Sequence, residues 1–337
     1  MRFARRLLAL SALIAPLPAL AQSADNFYAG KTITFVVGTD TGGGYDTYAR
    51  LLGRVLGRYI KGNPSIVVQN MPGGSGRRAA NFLYTAASQD GLWLGTLEQN
   101  VPFTQAMERD NTFFDVMKFN YIGNMSSNVS TLVAWHTTGV KTIEDARGKE
   151  IVIGATGSTG TNKIFPTLMN EIAGTKFRVV SGYKGGADLD LAMERGETGG
   201  RGSFAWTSIK STKPEWLRDG KISILVQIGL KRAPDLPDVP LMLDLARTEE
   251  QRQIIRLISS GTDLGRIVLS TPNVPPGRVA LLREGFNAAM RDPGLLADAE
   301  RMTLDINPAT GQEVQDIVTS IMATPADVIE KTRQYLN

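Results

Sequence analysis

The sequence predicts an α/β fold of two lobes, each a mainly parallel sheet with helices on both faces, joined by a hinge of crossing strands. Three observations predict it. From Thr32 onward, short apolar runs rich in β-branched residues alternate with helical patterns. A second series of the same kind begins near Glu150, without repeating the first residue by residue. Two extended stretches, near residues 121–135 and 260–271, fall where the chain would pass between the series. The expected division is residues 22–127 with 262–337 in lobe 1 and 128–261 in lobe 2. Hinged lobes of this kind close on a ligand.

The elements follow in order. The first strand, 32–37, runs into GTDTGGGYD, and a helical period starts near Asp46 with apolar Tyr48, Leu51, Leu52 and Val55. Three consecutive glycines bare the backbone N–H groups, and the first helical turn adds unpaired donors and a partial positive charge. That combination suits a small anion. A strand at 65–69 leads to MPGGSG at 71–76, a helix over 79–87 and a strand at 92–97. Glu98-Gln99-Asn100 then offers polar side chains at the strand's carboxyl end, where ligands of parallel sheets sit. The second series has a strand at 150–153, the loop GATGSTGTN at 154–162, a helix over 164–172, a strand at 177–181, the loop GYKGGAD and a helix over 189–195. A strand at 221–228 and prolines 234, 237 and 240 precede a helix over 251–258. A strand at 266–270 and helices over 279–290, 295–302, 313–322 and 325–335 complete the chain.

Arg2, Arg5 and Arg6 before an apolar run, with Ala19-Leu20-Ala21 behind it, predict a cleavable signal peptide over residues 1–21 and a periplasmic location. That segment carries three arginines and no acid, so the formal charge of +4 falls to +1 without it. No basic stripe remains, which argues against nucleic acid as a partner. The absence of cysteine excludes disulfides, thiolate metal sites and an N-terminal lipid on cysteine.

Enzyme readings fail on inventory. His136 is the single histidine, so a hydrolase would have to pair it with Ser75 or Ser158. Zinc lacks ligands, calcium through Asp40 and Asp46 lacks its loop spacing, and neither glycine loop matches a nucleotide fingerprint. No metal and no cofactor are expected. What remains is a set of glycine and hydroxyl loops, with Thr39, Thr41, Thr156, Ser158, Thr159 and Thr161 as neutral donors. Neutral donors and helix N-termini suit a carboxylate that must be released, better than a buried arginine pair would. Arg77, Arg78, Lys163 and Lys184 stand near the loops as candidates for a second carboxylate, and Tyr45, Tyr183, Phe204 and Trp206 as apolar walls.

VVGTDTGGGYDTYAR resembles the first-strand loop of the Bug family, the periplasmic receptors of tripartite tricarboxylate transporters, which reads VVPFxPGGxxDxxAR. VVQNMPGGSG, DGLWLGT, GYKGGAD and KRAPDLPDVP are similar to further family segments in the same order, over nearly the whole chain after residue 21. The resemblance implies a type II periplasmic-binding-protein fold closing over a small organic carboxylate, di- or tricarboxylic or aromatic, for delivery to the membrane subunits of such a transporter. It implies ligand contacts from Thr41, Gly43, Gly44 and Tyr45 on one lobe; Thr39 joins them as a neutral donor of the same loop, and a monomer is expected. On the other it implies Thr156, Ser158, Thr159, Gly160 and Thr161, with Tyr183 and Gly186 beside them. Thr41 stands where the family has proline, and Ala192 where many members have an acid, which weakens the expectation of an amino-bearing ligand. A sensor module presenting a carboxylate to a membrane receptor is the alternative.

Overall fold

The computed structural model describes residues 26–108 and 112–336; the expected signal segment lies outside them. One sheet contains β1 (Thr32–Val37), β2 (Ser65–Asn70), β3 (Trp93–Thr96), β4 (Asn120–Asn124), β10 (Ile267–Ser270) and β11 (Ala309–Thr310). The other contains β5 (Ser130–Trp135), β6 (Ile151–Ala155), β7 (Phe177–Ser181), β8 (Gly200–Ala205) and β9 (Ile222–Ile228). Each sheet is the base of one lobe, called first and second below.

The strand orders are β11-β4-β10-β3-β1-β2 and β7-β6-β8-β5-β9. In both, three strands of the local series run parallel, and an antiparallel strand follows. That strand is β10 in the first sheet and β5 in the second. Each is the strand by which the chain enters from the opposite lobe, which is why it runs against its neighbours.

Apolar residues on both faces mark β1 as a central strand. Ile33, Phe35 and Val37 pack with Tyr48, Leu51 and Leu52, while Val36 joins Ala79, Ala80 and Leu83 on the other side. In the second lobe Ile151 and Ile153 meet Phe165, Leu168 and Met169, and Val133 and Trp135 cluster with Trp216.

The long extended run expected over 121–135 is two strands, β4 and β5, separated by residues 125–129. The return crossing at 261–266 is hydrogen-bonded to it. Met125 N donates to Arg266 O at 3.0 Å, Asn128 N to Thr262 O at 3.0 Å, and Asn124 Nδ2 to Asp263 O at 2.9 Å. The last helix, Ala326–Leu336, was expected with the first lobe. It packs on the helices Thr161–Ala173 and Glu249–Ser260 and also on Val101–Met107, where Arg333 donates to Met107 O, so it straddles the two lobes.

Candidate functional site

Between the carboxyl ends of the parallel strands lies a cavity of about 60 Å³. The first lobe contributes Thr39, Gly43, Gly44 and Tyr45 from the loop after β1, Glu98 and Gln99 from the end of β3, and Arg266 from the return crossing. The second contributes Thr156, Thr161 and Asn162 after β6, Gly185 and Gly186 after β7, Arg201 and Ser203 on β8, and Ser208.

Three helices begin at this wall: Gly44–Gly53, Thr161–Ala173 and Gly186–Glu194. None has a side-chain cap from its own N-cap residue, so first-turn N–H groups are left for other acceptors, except Lys163 N, which donates to Gly160 O at 2.8 Å. The third is served from the opposite lobe, where Asp40 Oδ2 accepts from Asp188 N at 3.0 Å. The loop after β1 owes its course to Gly42, at φ +85°, whose N–H donates to Asp46 Oδ2 at 2.9 Å. Asp46 also accepts from Arg50 and Asn70, which occupies it in holding the loop. Among the described residues no cluster of three or more acids or histidines is placed for a metal.

Two guanidinium groups stand in the wall. Arg201 pairs with Asp190 at 2.7 Å and lies over the Phe204 ring. Arg266 is 3% exposed, stacks on Tyr45 and Tyr48, and donates to Gly265 O at 2.6 Å and Ser208 Oγ at 3.0 Å. No carboxylate lies within 4 Å of it among the described residues, and its Nε has no partner. Glu98 is the acid of the wall. Burial pushes its carboxyl up to about 7, Arg201 pulling it down and Asp40 adding to the rise.

The lobes are shut on one another. Besides Asp40 with Asp188 and Arg266 with Ser208, Ser75 and Thr156 hydroxyls meet at 3.1 Å and Asn100 Nδ2 donates to Thr159 O at 2.8 Å. Ser75 takes φ +55° to make its contact. Removing the charged latch by Asp40→Ala is expected to weaken ligand binding by roughly ten- to a hundredfold, the range for a hydrogen bond to a charged group. Solution scattering of the unliganded variant should show the open radius more often than the wild type.

Seven of the twelve residues expected at the site line the cavity: Thr39, Gly43, Gly44, Tyr45, Thr156, Thr161 and Gly186. Five do not. Thr41 is exposed on the outer side of the loop, where its hydroxyl donates to Asn70 Oδ1, because Gly42 turns the chain between it and Gly43. Ser158 is exposed, and it borders a surface groove with Thr159 and Lys163. Gly160 is packed against the Ser75 and Thr156 hydroxyls, where a Cβ would lie 2.7 and 2.6 Å from them. Tyr183 covers Gly154 at the end of β6. Of the basic candidates, Arg77 pairs with Glu108 at 2.7 Å and neither Arg78 nor Lys184 lines the cavity. The expectation of neutral donors without a buried arginine pair is corrected by Arg201 and Arg266, which sequence reasoning missed along with β8. His136 lies beyond Trp135, at the opposite end of β5 from Ser130, about 20 Å by strand rise. It is exposed, whereas Ser75 is buried against Thr156, so no serine and histidine pair forms.

The cavity thus lies between the lobes, is lined by helix starts and is sealed by contacts between the two. The chain has the type II periplasmic-binding-protein fold that the Bug-family resemblance implied. The structure of the periplasmic binding protein BugD superposes with a TM-score of 0.72 at 18% identity, covering 91% of this chain and 98% of that one. An R. palustris protein with adipate gives 0.71 at 19% identity, over 91% and 97%. MatC from Rhodopseudomonas palustris, with bound malate, gives 0.70 at 17% identity, over 89% and 99%. In sequence, a UPF0065 protein from the TAR-I ttuE-ttuC' intergenic region of Agrobacterium vitis is 25% identical over 232 residues, 66% of this chain. The chain spans 64% of that relative's length. No family model matches the chain.

Proposed function

We propose that the protein is a periplasmic solute receptor that captures a small organic carboxylate between its lobes and delivers it to the membrane subunits of a tripartite tricarboxylate-type transporter. The observation that carries this reading is Arg266: a buried cation in the cavity wall with no acid beside it among the described residues, in a wall that also holds the N-termini of two helices. A ligand carboxylate supplies the missing charge, because a buried guanidinium without a counter-charge is costly. The adipate and malate held by proteins of the same fold support the choice of anion. Titration of the purified protein with succinate, malate, adipate, citrate and benzoate is expected to give saturable heats and a rise in unfolding temperature for at least one acid. Binding of a sugar or a cationic solute in place of all five would remove the carboxylate reading.

A further inference from the structure

The wall contains one feature that a carboxylate ligand does not by itself explain. Glu98 is buried and faces the cavity, yet its carboxyl group makes no hydrogen bond or ion pair with a protein group among the described residues. The groups that face it are Arg201 on β8, Asp40 from the loop after β1 and Tyr45 from the first helix. Arg201 is already engaged by Asp190, Asp40 carries the same sign as Glu98, and the Tyr45 hydroxyl accepts from Gln99 N at 2.9 Å. The Asp40 Oδ1 atom is buried between Gly43 and Gly185, so Glu98 alone presents a carboxyl group to the space.

We propose that Glu98 determines specificity: with ligand bound it retains a proton and donates it to a ligand oxygen, selecting carboxylates with a second oxygen function over their ammonium-bearing counterparts. This inference rests on the carboxylate reading of the cavity. Two negative carboxylates in one sealed volume cannot both remain ionised unless a cation separates them. Arg266 is matched by the ligand's first carboxylate and Arg201 by Asp190, so the second meeting is resolved by a proton. An ammonium group would instead be the third cation in a wall that already contains two guanidinium groups.

The sign of the pH dependence follows. In the open form Glu98 is hydrated and ionised at neutral pH; burial raises its carboxyl to about 7, and a ligand anion raises it further. Closure on ligand therefore takes a proton from solvent at neutral pH, and affinity falls, by up to about tenfold per unit, as pH rises from the ordinary carboxylate range to the raised value of the liganded form, and levels off above it. Malate and aspartate are suited to the test because they differ in a hydroxyl against an ammonium, and succinate has neither. Calorimetry with succinate and malate near pH 7, in buffers of different protonation enthalpy, is expected to show uptake of at least about half a proton per ligand. Aspartate should bind at least about tenfold more weakly than malate. The Glu98→Gln variant, which keeps the size of the side chain, should bind succinate and malate with no proton uptake and with an affinity independent of pH. Binding of malate without proton uptake by the wild type, or with the same uptake by Glu98→Gln, overturns the assignment and leaves the receptor reading intact. So does tighter binding of aspartate that is lost in Glu98→Gln, which would show an ionised Glu98 pairing with ammonium. Failure of all three acids to bind removes both the assignment and the di- and tricarboxylate form of the receptor reading.

Discussion

Arg266→Gln is expected to lower the affinity for the bound carboxylate by about thirtyfold to several thousandfold, the 2–5 kcal/mol that truncating one member of a buried charge pair costs. The guanidinium sits on the return crossing, stacked on Tyr45 and Tyr48, with one nitrogen on Gly265 O and another on Ser208 of the opposite lobe. It therefore bonds across the closed lobes and lines the cavity from the return crossing. Without ligand the same group is a buried cation lacking a counter-charge, so Arg266→Gln is expected to leave unliganded thermal stability unchanged or raised while removing the ligand-induced rise. Arg266→Lys keeps the charge but loses the planar fork, and should fall between the two. Calorimetry with paired thermal unfolding curves reads both effects. An affinity within about threefold of wild type in Arg266→Gln, less than one ordinary hydrogen bond, would exclude Arg266 from ligand contact.

Arg266 also shows what a sequence can and cannot reveal here. The strand that follows it was legible as an apolar run, but an arginine at its start reads as a surface residue. Only the meeting of residues 124–128 with 262–266 brings it inward. Arg201 was hidden differently. Its strand contains Gly200 and Gly202, poor strand formers, because a Cβ at either would overlap a backbone carbonyl, of Val133 or of Asn162. The same close packing that makes β8 central strips it of the β-branched signal. The loop after β1 was legible as a turn at the carboxyl end of its strand, and Thr39, Gly43, Gly44 and Tyr45 of it line the cavity. Which of its residues face the ligand depends on the left-handed turn at Gly42, which the run of three glycines does not locate. Glu98 was within reach, since the end of a parallel strand is where a ligand-facing side chain is expected. The Asp40 latch was not, since it joins two lobes across 148 positions of chain.

Gly44 separates closure from folding, and its substitution should do the same. It is the first residue of its helix, so its backbone is ordinary and alanine there is expected to preserve or slightly improve folding, by up to about 1 kcal/mol. The tighter constraint lies in the other lobe: a Cβ on Gly44 would overlap Ser208 Oγ, whereas Arg266 Nη2 of its own lobe would stand 3.0 Å away. Gly44→Val should therefore fold normally, remain open in solution scattering at saturating ligand, and lose at least about a hundredfold in affinity, the equivalent of some 2.7 kcal/mol. Gly44→Ala should lose less, because Ser208 can turn away at the cost of the bond its hydroxyl oxygen accepts from Arg266. If the overlap with Ser208 is the cause, Ser208→Ala in the Gly44→Ala background should restore part of the affinity, although each change alone lowers it. Gly42→Ala provides the contrast: nothing lies within 4 Å of its would-be Cβ, but φ is +85°, so it should cost stability and leave closure available. Tight binding by Gly44→Val would mean that the liganded protein does not adopt this closed arrangement, and the Arg266 and Ser208 contact would then not belong to the bound state.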